Sequence, residues 1–228
     1  MRTEPQDQIT KFWSMVAPGY EDRGSNVAEY GTDEYRLWLH AVGAVLPDEP
    51  SDVVDLATGT GFLALIAAEL GHRVTGMDLS TEMLSLAERT ARERGLAVRF
   101  APGDAVAPDV APESVDVVTN RHLLWTLREP EKAMANWLRM LRPDGLVLSV
   151  DGFWFAHEGE KDPDSPNVFD QHYSPATRAA LPFMGLADTG PIVETFERAG
   201  YTDVQAEYLP ALTNVQAGAT PYFIVARP

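Results

Sequence analysis

Short apolar runs alternate with helical patterns along the chain from residue 51 onward. The first run, residues 53–57, reads Val-Val-Asp-Leu-Ala and is apolar except for Asp55. Such runs are typical of parallel strands buried on both faces, and their alternation with helices predicts helices on both sides of a sheet. We therefore predict an α/β fold with a doubly wound, mostly parallel sheet, whose first five strands are residues 52–57, 73–78, 98–101, 115–119 and 146–150.

Capping and turn residues separate these strands from the helices between them. Ser80 is a good N-cap for a helix that reaches about Arg94, and Gly95 ends that helix. Residues 142–145, Arg-Pro-Asp-Gly, predict a turn into the fifth strand. Further helices are predicted at residues 61–70, 130–141 and 191–199, and β-rich runs at 202–209 and 221–226 are predicted to pair antiparallel at one side of the sheet.

Two regions fall outside this repeat. The first 46 residues carry helical patterns at 6–16 and 30–46, and residues 152–190 are rich in proline, aspartate and aromatic residues. We expect a helical N-terminal lid over residues 1–50, followed by a main domain over 51–228 with a cap insertion at about 152–190. Both regions are expected to cover the functional site.

The charge of the chain argues against a nucleic-acid partner. With 34 acidic and 18 basic residues among 228, the formal net charge of −16 repels a phosphate backbone. No apolar stretch approaches the roughly 20 residues of a membrane span, and the start Met-Arg-Thr-Glu-Pro lacks the apolar centre of a signal peptide. We expect a cytoplasmic protein, either a monomer or a homodimer, that contacts neither membrane nor nucleic acid.

Metal chemistry is also not expected. The chain has no cysteine, which excludes disulfides and thiolate ligands, and its five histidines lack metal-binding spacing. A metal-dependent reaction would need a carboxylate cluster at the ends of strands four and five, where Asp151 is one candidate and Asn120 a poor second. We therefore predict that no metal is bound.

A glycine-rich turn follows the first predicted strand and opens directly into a helix. Residues 55–61 read Asp-Leu-Ala-Thr-Gly-Thr-Gly, in which Gly59 and Gly61 allow a tight turn and close approach of a ligand. Asp78 stands at the end of the second predicted strand, where a carboxylate can hold both hydroxyls of a ribose. Together the two features predict a cofactor that carries adenosine.

The details of the turn favour a cationic cofactor. A dinucleotide fingerprint would place a third glycine near Leu65, and the acidic Asp55 would repel a pyrophosphate. S-adenosylmethionine carries an ammonium group and a sulfonium, which a carboxylate attracts. An NAD-dependent dehydrogenase is therefore kept only as an alternative.

Residues 53–150 resemble the class I S-adenosylmethionine-dependent methyltransferases. Residues 55–61 are similar to the family's glycine-rich motif, and Asp78 to the acidic residue that holds the cofactor ribose. Residues 103–105, Gly-Asp-Ala, resemble the adenine-binding segment, and residues 116–127 and 141–146 resemble the family's strand-four motif and strand-five turn. Two residues depart from the family pattern, since Ala57 and Asp144 stand where glycine is usual.

The resemblance implies a seven-stranded sheet with an antiparallel last strand, and S-adenosylmethionine as cofactor. It also implies a set of cofactor-binding residues on the turn, the second strand and the loops that follow. These are Asp55, Ala57, Thr58, Gly59, Gly61, Asp78, Leu79, Met83, Gly103, Asp104, Ala105, Asn120 and Arg121.

Methyl transfer is an in-line displacement, so the protein mainly positions the acceptor, and whether a general base also removes a proton from it is left open. His122, just past the fourth predicted strand, is a candidate general base, with a structural or cofactor-contacting role as the alternative. Tyr20 follows Ala-Pro-Gly, and in similar methyltransferases an aromatic residue there folds over the cofactor. His172 of the insertion is a third candidate, as a base or hydrogen-bond donor.

Aromatic residues around the insertion suggest an apolar pocket for a medium-sized organic acceptor. The methylated atom is left open among O, N and S, and the chain resembles methyltransferases that tailor natural products such as peptides and polyketides. Alternatives are S-methylation of a peptide thiol or disulfide, and a non-catalytic protein that binds S-adenosylmethionine. The candidate acceptor-binding residues are Trp125, Phe153, Trp154, Tyr173 and Phe183.

Overall fold

The fold is built on one seven-stranded sheet with strand order β3-β2-β1-β4-β5-β7-β6. The computed structural model describes residues 4–20, 28–153, 155, 171–209, 212 and 221–228. All neighbouring strands pair in parallel except β7, which is antiparallel to β5 and β6. This confirms the predicted sheet. The strands are β1 Asp52–Leu56, β2 Arg73–Asp78, β3 Val98–Pro102, β4 Val115–Arg121, β5 Leu141–Asp151, β6 Asp203–Tyr208 and β7 Tyr222–Arg227.

Helices connect the parallel strands, and their starts follow the capping residues of the sequence. The Ser80 hydroxyl accepts a hydrogen bond from the Met83 backbone N–H at 3.2 Å, as the sequence predicted. Short 3₁₀ helices span Ala17–Gly19 and Leu124–Thr126. The α-helices are α1 Glu4–Val16, α2 Asp33–Gly43, α3 Phe62–Glu69, α4 Thr81–Glu93, α5 Pro130–Met140, α6 Pro175–Ala179 and α7 Gly190–Arg198.

The sheet is buried on both faces, which explains why its central strands are continuously apolar. On β4, Val117 packs into the core beneath α2 and α3, whereas its neighbour Val118 packs into the core beneath α5 and α7. Both side chains are fully buried. A strand with alternate residues on opposite faces needs apolar residues in succession when both faces are covered.

The fifth strand is longer than predicted. β5 begins at Leu141, which pairs with Val115, and the next pair along is Val117 with Leu146, so residues 142–145 bulge within the strand. Arg142 in this bulge forms ion pairs of 3.1 Å with Asp52 and 2.7 Å with Asp116. The predicted turn is therefore a bulge that these ion pairs hold against the neighbouring strands.

The two N-terminal helices lie on different parts of the molecule. Trp38 of α2 packs with Phe62 of α3 beside the sheet, at a ring-centroid distance of 5.4 Å. Phe12 of α1 instead packs with Met83 of α4 and Trp125. The segment predicted as a lid over residues 1–50 is therefore divided, and only α1 lies near the loops that follow the strands.

Candidate functional site

A cavity lies at the carboxyl ends of β1, β2 and β4, the edge at which open α/β sheets bind ligands. Its walls come from the turn after β1, the end of β2, the loops after β3 and β4, and α1. The lining residues are Gln6, Ile9, Thr10, Trp13, Tyr20, Ala57, Gly59, Asp78, Leu79, Ser80, Met83, Gly103, Asp104, Ala105, Val106, Arg121, His122, Leu123, Thr126, Leu127 and Arg128.

The turn after β1 is held in a left-handed backbone conformation. Ala57, Gly59 and Gly61 have φ angles of 52°, 56° and 90°. A Cβ atom on Gly61 would lie 3.2 Å from the Cβ of Ala87, so a glycine here lets the turn close against α4. Ala57 is the exception, because it keeps a side chain in a conformation that favours glycine.

We expect Ala57→Gly to stabilise the fold. Relief of the left-handed strain contributes about 1–2 kcal/mol, and the greater freedom of glycine in the unfolded chain offsets about 0.4–1 kcal/mol of this. Urea unfolding should therefore show a net gain of about 0.5–1 kcal/mol. As a matched control, Ala67→Gly within α3 should destabilise by about 1 kcal/mol. Equal losses for both variants would contradict the strain at residue 57.

Asp78 closes the cavity at the end of β2. Its Oδ2 accepts a hydrogen bond from the Gly59 N–H at 2.9 Å, and its Oδ1 accepts one from the Ser80 N–H at 2.8 Å. Burial raises the pKa of this carboxyl group. The Leu79 N–H also hydrogen-bonds to this carboxylate. A carboxylate has about four lone-pair sites, so acceptor capacity remains for a ribose hydroxyl.

Asp55 lies behind the turn and not in the cavity wall. Its carboxylate accepts hydrogen bonds from the hydroxyls of Thr58 at 2.6 Å and Thr119 at 2.7 Å, and from the Ala64 backbone N–H. Burial raises the pKa of Asp55 to about 6. The contacts give this residue a role in shaping the turn, and its direct contact with a cofactor stays a prediction.

Arg121 brings a positive charge into the cavity wall. Its guanidinium lies 4.4 Å from the centre of the Phe62 ring, and it interacts electrostatically with Tyr20, Asp55 and Asp151. Burial lowers the pKa of Arg121 from a very high ordinary value, and the group remains a cation. A cation at this position suits the carboxylate of an amino-acid ligand.

Asn120 is not among the residues that line the cavity. Its Nδ2 donates a hydrogen bond to the Ser149 hydroxyl at 2.9 Å, while its Oδ1 is buried without a partner among the described residues. Adjacent residues of a strand face opposite sides, so Arg121 reaches the cavity and Asn120 does not. The contact between Asn120 and the cofactor therefore stays a prediction.

His122 is held in the cavity wall by a strained backbone. Its φ is 56°, which is uncommon for residues other than glycine, and its N–H donates to the Val150 carbonyl at 2.8 Å. Burial, with a smaller contribution from the Arg121 charge, lowers the pKa of His122 well below its ordinary value. The imidazole is therefore neutral at neutral pH, and the burial and positive charge that keep it neutral also make it a weaker base than an exposed histidine.

The other predicted cofactor residues divide between the wall and its support. Asp104 lines the cavity and accepts a hydrogen bond from the Val106 N–H at 2.9 Å, with its Oδ2 4.0 Å from Arg128. Thr58 and Gly61 are not in the wall and shape the turn behind it. The wall does include the predicted Ala57, Gly59, Leu79, Met83, Gly103 and Ala105.

Among the predicted aromatic and insertion residues that the structure describes, only one lines the cavity. Tyr20 lies in the wall beside Trp13, at a ring-centroid distance of 6.0 Å. His172 lies against Phe12 of α1, with 5.5 Å between the two ring centroids. Trp125 and Tyr173 pack in the cluster around α1. Phe153 and Phe183 pack in the core beneath α5 and α7, where apolar side chains are removed from water. Trp154 lies outside the described residues.

Helix α1 contributes four wall residues that the sequence reasoning missed. Gln6, Ile9, Thr10 and Trp13 recur at helical spacing and form one face of the helix. Two of the four are polar. The sequence offered one signal of this, because a helical face that packs only against the core is normally apolar throughout. Two polar residues on such a face indicate that it also borders a polar site.

Asp151 holds the segment after β4. Its Oδ2 accepts a hydrogen bond from the Leu124 N–H at 2.9 Å, and its Oδ1 accepts one from the Gly152 N–H at 2.8 Å. The side chain is completely buried.

Within the described ranges, no group of three or more histidine, aspartate or glutamate residues is arranged to hold a metal ion. No helix in those ranges is long and apolar enough to cross a membrane.

Comparison with known proteins links this site to methyl transfer. A family model described as "Methyltransferase domain" matches residues 54–149. The demethylmenaquinone methyltransferase of Thermus thermophilus is 33% identical over 202 residues, which cover 88% of this chain and 85% of that protein. A ubiquinone/menaquinone biosynthesis C-methyltransferase of Bdellovibrio bacteriovorus is 35% identical over 149 residues, or 63% of this chain and 61% of that one.

Solved structures share the fold. The [4+2]-cyclase SpnF superposes with a TM-score of 0.70 at 19% identity, covering 96% of this chain and 95% of that one. Phosphoethanolamine N-methyltransferase 2 of Haemonchus contortus, in complex with S-adenosyl-L-methionine, gives a TM-score of 0.71 at 20% identity, covering 100% of this chain and 60% of that one. At these identities the likeness concerns the fold alone.

Proposed function

Because the chain belongs to the class I S-adenosylmethionine-dependent methyltransferases, we propose that it methylates a medium-sized, largely apolar organic molecule in the cavity beneath α1. The proposal depends on one observation: groups suited to a cofactor and groups suited to an apolar acceptor line the same cavity. Asp78 and the glycine turn supply polar groups to the wall, and Ile9 and Trp13 of α1 supply apolar side chains to the same wall. The family membership sets aside the NAD-dependent dehydrogenase.

The residues of the cavity fit S-adenosylmethionine. Asp78 retains acceptor capacity for ribose hydroxyls, Arg121 offers a cation to the cofactor carboxylate, and space for a ligand lies next to Gly59, where an added Cβ would meet no atom within 4 Å. Asp104 is the candidate for the adenine amino group. When bound, S-adenosylmethionine supplies a methyl group already activated by its sulfonium.

The chain itself supplies position, exclusion of water and proton acceptance. Ile9 and Trp13 give the cavity an apolar wall, which excludes water and favours close approach of the two reactants. The neutral imidazole of His122 lies in the same wall and serves as the candidate base for the acceptor proton. Tyr20 lies beside them, and we expect it to contact the bound cofactor.

Two acceptor classes follow from different observations. The apolar and aromatic wall supports a natural product such as a polyketide or peptide, methylated on O, N or S. The relatives named for menaquinone and ubiquinone biosynthesis favour a second candidate, the ring carbon of a reduced quinone. Both classes are assigned to the same cavity. We propose that the enzyme works in the cytoplasm.

The test has two steps. Calorimetric titration with S-adenosylmethionine, S-adenosylhomocysteine and NAD should show binding of the first two ligands only. Aromatic polyketide phenols, thiol peptides and a reduced demethylnaphthoquinone are then assayed for a mass gain of one methyl group. Product from any class supports methyl transfer and identifies that class, whereas cofactor binding without product from any of them would favour the non-catalytic alternative.

We expect Asp78→Asn to weaken binding of S-adenosylmethionine and S-adenosylhomocysteine alike by about 10- to 100-fold, the scale of a charged hydrogen bond. Both molecules carry the same ribose, so the two losses should be equal in calorimetry. Asparagine keeps one acceptor for the turn, which limits structural damage. Asp144→Asn, at an exposed position in the β5 bulge, serves as the control and should leave both affinities unchanged. Unchanged affinity in Asp78→Asn would remove this residue from the cofactor site.

A further inference from the structure

A chain of hydrogen bonds connects three polar residues of the cavity wall. Arg128 Nε donates to Gln6 Oε1 at 2.7 Å, and Gln6 Nε2 donates to Thr10 Oγ1 at 3.3 Å. All three residues line the cavity, and the Gln6 side chain is buried. Arg128 thereby ties α1 to the segment that follows β4.

The direction of this chain is fixed by its first member. A guanidinium group has only donors, so the amide atom of Gln6 that faces Arg128 must be the oxygen. The NH₂ of Gln6 consequently faces Thr10, whose hydroxyl oxygen accepts. None of the hydrogen bonds among the described residues uses the Thr10 hydroxyl as a donor, so its proton is available to a molecule in the cavity.

The surroundings make this donor selective. Ile9 and Trp13, one and three residues from Thr10 on α1, line the same cavity and keep the local dielectric low, which strengthens a hydrogen bond there. The Nη2 atom of Arg128 also lies 4.0 Å from Asp104 Oδ2, on the loop predicted to hold adenine. The same arginine therefore fixes the donor on α1 relative to the cofactor end of the cavity.

We propose that Thr10 is a specificity-determining residue that donates a hydrogen bond to an oxygen of the methyl acceptor, and that Gln6 and Arg128 are positioning residues for this bond. The inference rests on the proposed function and narrows its substrate class. The acceptor carries a carbonyl, phenol or phenolate oxygen, because these oxygens accept a hydroxyl proton well and an ionised one accepts it best.

A pair of probes that differ by one oxygen tests the proposal without turnover. Dissociation constants of 1-naphthol and naphthalene are measured by equilibrium dialysis against protein saturated with S-adenosylhomocysteine. The wild type should prefer 1-naphthol, and Thr10→Val should reduce this preference by about tenfold, the upper range of one neutral hydrogen bond. Thr10→Ser should retain the preference. Thr90→Val, on α4 and outside the cavity wall, is the matched control.

The variant Gln6→Glu keeps the contact that ties α1 to Arg128 but removes the hydrogen-bond donor that faces Thr10. Its carboxylate still accepts from Arg128 but offers no donor to Thr10, so the Thr10 proton turns toward the carboxylate and the preference should fall as in Thr10→Val. A merely structural contact would survive this substitution. The proposal is overturned if Thr10→Val or Gln6→Glu keeps the wild-type preference, or if the wild type shows none. Failure of the proposed function appears separately, as S-adenosylhomocysteine binding without methylated product in the wild type.

Discussion

His122→Asn is expected to lower kcat by on the order of 100-fold or more, the usual contribution of a positioned general base. Asparagine tolerates the left-handed backbone of this position, where φ is 56°, so the substitution removes the imidazole without forcing the chain to move. The dissociation constant of S-adenosylmethionine should stay near the wild-type value. Steady-state kinetics at saturating cofactor, with methylated product quantified by mass spectrometry, measure both quantities.

The pH profile distinguishes a base from a packing residue. Burial and the Arg121 charge lower the pKa of His122. The wild type should therefore keep its full kcat at pH values at which an ordinary histidine is already protonated, and lose it only in more acidic solution. His122→Asn should lack this acidic loss. His40→Asn, at an exposed position of α2, is the control and should leave kcat unchanged. Full kcat in His122→Asn would leave proximity as the main catalytic effect.

Asp55→Asn is expected to stabilise the folded protein by up to about 3 kcal/mol at pH 7.5. The carboxyl group has a pKa of about 6 when folded, above its ordinary value of 3.8. Between these values the folded state holds a proton that the unfolded state has released, so stability falls as pH rises through this range. Two pKa units correspond to about 3 kcal/mol, which is fully lost above about pH 6.

Urea unfolding at pH 5 and at pH 7.5 measures this effect. The asparagine side chain can still hydrogen-bond to Thr58 and Thr119, so the variant should keep the turn and lose the pH dependence of the free energy of unfolding.

The affinity of Asp55→Asn for S-adenosylmethionine should nevertheless fall on the order of tenfold, because the variant lacks a negative charge near the cationic cofactor. Asp144→Asn again provides the control. An unchanged pH dependence in Asp55→Asn would mean that Asp55 ionises as an ordinary carboxyl group.

Higher stability together with weaker cofactor binding in Asp55→Asn would indicate that the Asp55 charge serves the cofactor and not the fold. A buried carboxylate that destabilises the apo protein above pH 6 is retained where its charge serves a ligand. The binding of S-adenosylmethionine should lower the pKa of Asp55, so cofactor affinity should weaken as pH falls below about 6. Calorimetry across pH 5 to 7.5 would show this together with proton release on binding.

The sequence by itself determined the sheet and the ligand-binding edge. Continuous apolar runs predict strands covered on both faces, and residues that end parallel strands meet at one edge wherever the strands lie. Gly59 and Asp78 therefore had to come together, and their hydrogen bond of 2.9 Å joins the turn to β2. The bulge in β5 was hidden, because Arg-Pro-Asp-Gly also fits a free turn and only the ion pairs of Arg142 decide between the two.

Tertiary structure alone decided which side chains face the ligand. An amphipathic pattern shows that a helix buries one face but not what that face meets, so α1 and α2 looked alike although only α1 lines the cavity. The aromatic residues assigned to an acceptor pocket, such as Phe183, were equally suited to a core and lie in one. The hydrogen bond from Arg128 to Gln6 joins residues more than a hundred positions apart, and only the folded chain brings them together.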